Sequence, residues 1–130
     1  MARPVSPHPT ELELEILKVL WQQGPSTVRQ VREALAPQRK LAHTSVITMM
    51  NIMTEKGYLV RDAEEATHIF RAKVTEQSVR KRMLGDLVRR AFDGSAVAMM
   101  LNLLDTSSLK EDELAELRSR LTEKGKDARP

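Results

Sequence analysis

The 130-residue chain contains no cysteine, which removes disulfides, thiolate zinc sites and thiol nucleophiles together and leaves the redox compartment open. Aromatic residues are nearly as scarce. One Trp, one Tyr and two Phe argue mildly against an apolar ligand pocket. No apolar run approaches the roughly 18 residues that span a bilayer, and the leading MARPVSPHPT has no apolar stretch of the secretory kind. A cytoplasmic chain without a membrane partner is therefore expected. There is no Gly-rich phosphate loop and no HExxH, and the carboxylates Glu11, Glu13, Glu15, Glu64 and Glu65 fall on a helix start and a turn. Neither an enzyme nor a cofactor nor a small-molecule substrate is expected. His8, His43 and His68 have no spacing that gathers them on one face, so no metal site is expected either.

What is present is a helix-rich chain with a mildly basic balance, +3 net and pI near 9.4, which permits a nucleic-acid partner without demanding one. Residues 1–9 hold three of the six prolines and read as a flexible N-terminal arm. Thr10 with Glu13 has the spacing of a capping box, and Leu12, Ile16, Val19 and Leu20 form an apolar stripe up to Gly24-Pro25, predicting a helix over 11–23. Thr27 with Gln30 repeats the box before a short helix carrying Val28, Val31 and Leu35, ended near Pro37.

The stretch from His43 to Leu59, HTSVITMMNIMTEKGYL, organises the rest. Val46, Met49, Met50 and Met53 recur at helical spacing and predict a buried face. The other side carries Thr44, Ser45, Thr48 and Asn51, short hydrogen-bonding side chains with no long charged residue to hold a partner away. Gly57 is placed to end the helix. Tyr58 to Val60 and Thr67 to Val74 then read as two strands around the acidic turn 62–66, a wing. The pattern predicts a mainly α (α+β) fold, a winged helix-turn-helix domain over 10–74 with the third helix as its recognition helix.

After Thr75 the chain turns helical again, with helices predicted over 76–92, after Ser95 and after Ser108, the last on a capping box of Ser108 with Glu111. Val97, Met99, Met100, Leu101, Leu103 and Leu104 leave the middle one almost no polar face apart from Asn102. Helices this short need packing to persist, so residues 75–124 read as a helical dimerisation region. Met83, Leu87, Met100, Leu101, Leu104, Leu114, Leu117 and Leu121 are its candidate interface residues, and 125–130 a disordered tail. Packing of the tail on its own head is the alternative.

Four stretches, ELEILKVLW from Glu13, STVRQV from Ser26, TSVITMMNIMTEKGYL from Thr44 and MLNLLDTSSLKEDELAELRSRL from Met100, together resemble the BlaI/MecI/CopY-type penicillinase repressors. The resemblance implies a dimeric transcriptional repressor on a dyad-symmetric double-stranded DNA operator. It places base contacts at Thr44, Ser45 and Thr48. The chain departs from the family at Ile52, where an arginine is common. Arg39, Lys40, Lys56, Arg61 and Arg71 are candidates to supply the missing backbone contact, and His43 is a helix-start residue facing DNA. In antibiotic-responsive members a sensor-linked protease cuts within the dimerisation region after an Asn; Asn102-Leu103 occupies that position, with leucine where better-known sites have an aromatic. The copper-responsive branch uses a C-terminal cysteine cluster, which this chain lacks.

Two other readings stay open. A winged helix can serve purely as a protein-binding adaptor, since fold does not fix function, and a winged-helix regulator of another family could sense a ligand at its dimer interface.

Overall fold

A computed structural model describes residues 8–62 and 67–128. Its elements are α1 (Glu11–Gln23), β1 (Ser26–Thr27), α2 (Val28–Leu35), α3 (His43–Glu55), β2 (Leu59–Asp62), β3 (Ile69–Ala72), α4 (Glu76–Phe92), α5 (Ala96–Thr106) and α6 (Glu111–Lys126). The chain divides into two compact units, one through Leu87 and one from Val88.

The first unit is built on the caps the pattern predicts. At α1 the Thr10 hydroxyl accepts from the Glu13 N–H at 3.3 Å while the Glu13 carboxylate accepts from the Thr10 N–H at 2.9 Å. At α2 Thr27 and Gln30 do the same. Each box satisfies two backbone donors that a helix start otherwise leaves open. Gly57, at φ +89°, turns the chain out of α3, and the Tyr58 N–H reaches back to the Met53 carbonyl at 2.9 Å. Without that left-handed residue the chain could not pass directly from α3 into β2.

The wing is a three-stranded antiparallel sheet in the order β1-β3-β2. Its third strand was not expected. Ser26 and Thr27 pair with Phe70 and Ile69, so the residue that caps α2 also completes the sheet. A two-residue strand carries no period-2 signal, and its partners Phe70 and Ile69, far along the chain, decide it. β2 and β3 pair Leu59 with Ala72 and Arg61 with Phe70; β2 starts one residue later than predicted and runs on to Asp62, and β3 is two residues shorter at each end than the predicted stretch. Residues 63–66, most of the expected acidic turn, lie outside the described residues, as do 1–7 of the expected arm. The arm's end is anchored: Pro9 is buried and the His8 ring lies 3.1 Å from the Asp86 carboxylate.

One core holds the first unit together. Ile16, Leu17 and Leu20 of α1, Val31 and Leu35 of α2, and Val46, Met50 and Met53 of α3 close over Leu59 and Phe70 of the sheet. Val79 of α4 is buried in the same cluster and Met83 packs against it. The unit therefore extends into α4, past the boundary at residues 74–75 that the change of pattern suggests, because the first turns of α4 cover the winged core. The Trp21 indole N–H binds the Val74 carbonyl at 3.0 Å, tying the end of α1 to the approach to α4.

In the second unit, Asp93 (φ 49°) and Gly94 (φ 87°) end α4, and Ser95 caps α5 by accepting from the Ala98 N–H at 3.0 Å. The cap of α6 differs from expectation. Glu113 accepts from the Lys110 N–H at 3.0 Å, so the helix starts at Glu111 rather than just after Ser108, where three acids, Glu111, Asp112 and Glu113, meet the positive end of the helix dipole. It also continues through Gly125 to Lys126, into the stretch expected to be disordered; residues 129–130 are outside the described residues. No residue of α5 or α6 is buried.

Candidate nucleic-acid interface

The organising feature is α3, whose two faces separate as the pattern predicts. Val46, Met50 and Met53 are buried, whereas Thr44, Ser45 and Thr48 are exposed and Asn51 half-exposed. From Leu41 to Thr54 the chain carries no acidic or basic side chain other than His43. Thr44, Thr48 and Asn51 lie at i, i+4 and i+7 and so share one stripe. Ile52 flanks that stripe without a charge.

Cations stand on both sides of it. Arg29, Arg32, Lys40 and His43 border a shallow concavity between α2 and the start of α3. A second concavity, sharing Arg29 and His43, runs toward the wing and is bordered by Gln30, Ile47, Asn51, Arg61 and His68. Arg32 also holds the α2–α3 turn in place, its Nε donating to the Leu41 carbonyl at 2.9 Å. Arg29 is strongly exposed and pairs with Glu33 at 3.1 Å. Neither Arg29 nor Arg32 stood out in the sequence, because an arginine on a short helix is most often a solvated charge; only the folding of α2 beside α3 sets them at this edge.

The basic candidates thus fall into two groups. Lys40, His43 and Arg61 border the concavities beside the open face of α3. Arg39 instead reaches α1, with Nε 3.2 Å from Glu15 and Nη2 3.8 Å from Glu11. Arg71 lies 3.8 Å from Asp62 across the wing, both half-exposed. Lys56 is committed to Glu13: its ammonium donates to a carboxylate 1% exposed, at 2.9 Å. Burial pushes the Glu13 carboxyl up. The Thr10 N–H and hydroxyl and the Lys56 charge together outweigh that and leave it below the usual carboxylate range. The pair ties the C-terminal end of α3 to the N-terminal end of α1. Nearby, burial and the Glu13 charge raise the Tyr58 hydroxyl above its ordinary value.

The second unit carries α5 and α6, two helices on which large apolar residues are exposed. Met100, Leu101, Leu104, Leu117 and Leu121 are exposed, Val97 to 63%, and Leu114 is half-buried. Of the other candidate interface residues, Leu87 is exposed at the end of the first unit and Met83 packs against that unit's core. Asn102 and Leu103 are exposed within α5, where the Asn102 carbonyl accepts from the Thr106 hydroxyl at 2.9 Å. Among the described residues no cluster of His, Cys, Asp or Glu is arranged to hold a metal ion, and no helix is long and apolar enough to cross a membrane.

Three helices closed by a three-stranded wing, with an exposed polar stripe on the third helix, define a winged helix-turn-helix protein. Residues 9–123 match the penicillinase repressor family, and the chain belongs to it; this is a family of transcriptional repressors, not of enzymes. Among relatives, the methicillin resistance regulatory protein MecI of Mammaliicoccus sciuri is 20% identical over 112 residues, 86% of this chain and 91% of that one. The penicillinase repressor of Bacillus licheniformis is 24% identical over 111 residues, 85% and 87% of the two chains. The transcriptional regulator BlaI of Mycobacterium tuberculosis strain H37Rv is 29% identical over 115 residues, 87% and 82%.

Proposed function

We propose that this chain is a sequence-specific DNA-binding repressor that acts as a homodimer on a dyad-symmetric operator, with α3 in the major groove. One observation carries the reading: the open face of α3 is uncharged and hydrogen-bonding, with exposed cations at both margins, Arg29, Arg32 and Lys40 on one side and Arg61 on the other. A major groove presents donors and acceptors at its floor and phosphates at its rims, which is the complementary arrangement. Thr44, Ser45 and Thr48 address base edges; Lys40, His43 and Arg61 lie nearest the backbone. Arg39 and Lys56 serve the architecture of the module instead, holding the turn and α3 to α1.

The homodimer is supported by the second unit, whose exposed leucines and methionines need a partner surface that a second copy supplies by symmetry. Two modules on a dyad reach half-sites one helical turn, or a multiple of it, apart. Cutting at Asn102-Leu103 would sever α5 and with it the doubled contact that dimerisation provides, so proteolysis there by a sensor-linked protease is the inactivation route this reading adopts, with a β-lactam as the signal in keeping with relatives named for methicillin resistance and penicillinase.

Binding of the full chain to a genomic fragment library at two salt concentrations tests the reading. A dyad-symmetric site recovered with steep salt dependence supports it; no sequence above background would shift the assignment to a protein-binding adaptor. Chain recovered from β-lactam-treated cells with a new C-terminus at Asn102 would support the cleavage, and an intact chain under derepression would rule it out.

A further inference from the structure

Resting on the repressor reading above, we infer that Asn51 is the residue that selects a particular base pair, an adenine in each half-site, and that Arg61 of the wing sets the direction in which its amide reads.

The argument begins with the chemistry on the open face of α3. Thr44, Ser45 and Thr48 each offer one rotatable hydroxyl, which donates or accepts according to the base it meets and so tolerates several. No arginine or lysine lies between Leu41 and Glu55, so the usual bidentate contact to guanine has no donor on this helix. Asn51 is the one side chain in the stripe with a carbonyl acceptor and an amide donor side by side. That pair matches the N6 donor and N7 acceptor that adenine shows in the major groove. Gln30 borders the same concavity, but it stands on α2 rather than in the stripe of α3, and its carboxamide is held in the α2 capping box, with the Thr27 N–H donating to it at 2.9 Å.

Arg61 adds the second observation. From β2 its Nη1 donates to Asn51 Oδ1 at 3.5 Å, turning the carbonyl end toward the wing and the NH2 end away from it. A carbonyl oxygen has two lone pairs, so Oδ1 can keep the arginine and still accept from adenine N6. The amide is thereby oriented before DNA arrives, and its polarity fixes which strand carries the adenine. Arg61 is a positioning residue in this scheme.

The test is selection of binding sites from a random duplex library by the full-length wild type, Asn51→Ala, Arg61→Ala and Arg61→Lys. The wild type is expected to return a dyad-symmetric site with an invariant A·T pair at one position of each half. Asn51→Ala is expected to return the same site with that position degenerate, its preference reduced about ten-fold or more, and with unchanged salt dependence, as befits a base contact. Arg61→Ala should weaken the preference at that same position, and Arg61→Lys, which keeps a donor, should restore it. Identical position preferences for wild type and Asn51→Ala would overturn the proposal while leaving the repressor reading in place, and so would loss of preference at a G·C pair. A wild type that returns no symmetric site would sink the repressor reading itself, and the proposal with it.

Discussion

The two units of this chain are made of similar helices and yet hold together in opposite ways. Every buried hydrophobic side chain among the described residues belongs to the first unit. There three helices, the sheet and the start of α4 enclose Ile16, Leu17, Met50, Met53 and Phe70. In the second unit α5 and α6 are well formed and capped, and α6 is charged in the right sense at both ends, but they bury nothing. Local signals suffice to mark where a helix begins; they contribute only about 1 kcal/mol each, whereas burying a large side chain contributes two or three times that. A unit that exposes Val97, Leu101, Leu103 and Leu121 has its helices specified but its stabilising surface still to be found.

The contrast can be broken most forcefully in the core. Phe70→Ala is expected to cost the first unit about 3–5 kcal/mol in urea unfolding, because the ring is 1% exposed and sits between β1 and β2. Next comes the ion pair that joins α1 to α3. Glu13→Gln should cost about 2 kcal/mol at neutral pH, since it removes the charge opposite Lys56 while keeping an acceptor for the cap, and the partly exposed Lys56 is left to water. The Glu13 carboxyl titrates lower in the folded chain than in the unfolded one. Its contribution is therefore complete above the ordinary carboxylate range and disappears as pH falls through the lowered folded value. Melting curves taken from neutral to acid should converge for wild type and variant; a gap that stays constant with pH would refute the charge's role.

Smaller effects sharpen the other side of the comparison. Leu101→Asp is expected to leave the unfolding of the first unit unchanged while giving a monomer by sedimentation velocity, and a persisting dimer would remove α5 from the interface. Thr48→Ala should weaken operator binding by about 1 kcal/mol without altering the dimer. Unchanged affinity would mean that α3 is not the reading helix. Ser95→Ala, at the cap of α5, should cost about 1 kcal/mol or less, seen as a loss of helicity by circular dichroism confined to the second unit.

Helix 1, the α2 cap, the buried and open faces of α3 and the span of α4 were legible in the residue order because each depends on neighbours within a turn or two. Thr10 and Glu13 are three residues apart, and Met50 and Met53 likewise; hydrogen bonds and apolar stripes at that range follow from helical geometry alone. The two-residue strand at Ser26, the start of α6 at Glu111 and the boundary inside α4 were not, since each is set by competition between local signals or by distant partners. The same holds at the candidate interface. That α3 presents hydroxyls and an amide follows from the spacing of its methionines. That Lys56 faces Glu13 rather than a phosphate, that Arg29 and Arg32 border the reading face, and that Arg61 meets Asn51 depends on packing across 43 residues in one case and across strand β2 in another. Charges on long flexible side chains take whichever partner the fold brings within about 3 Å, and no periodicity along the chain records that choice.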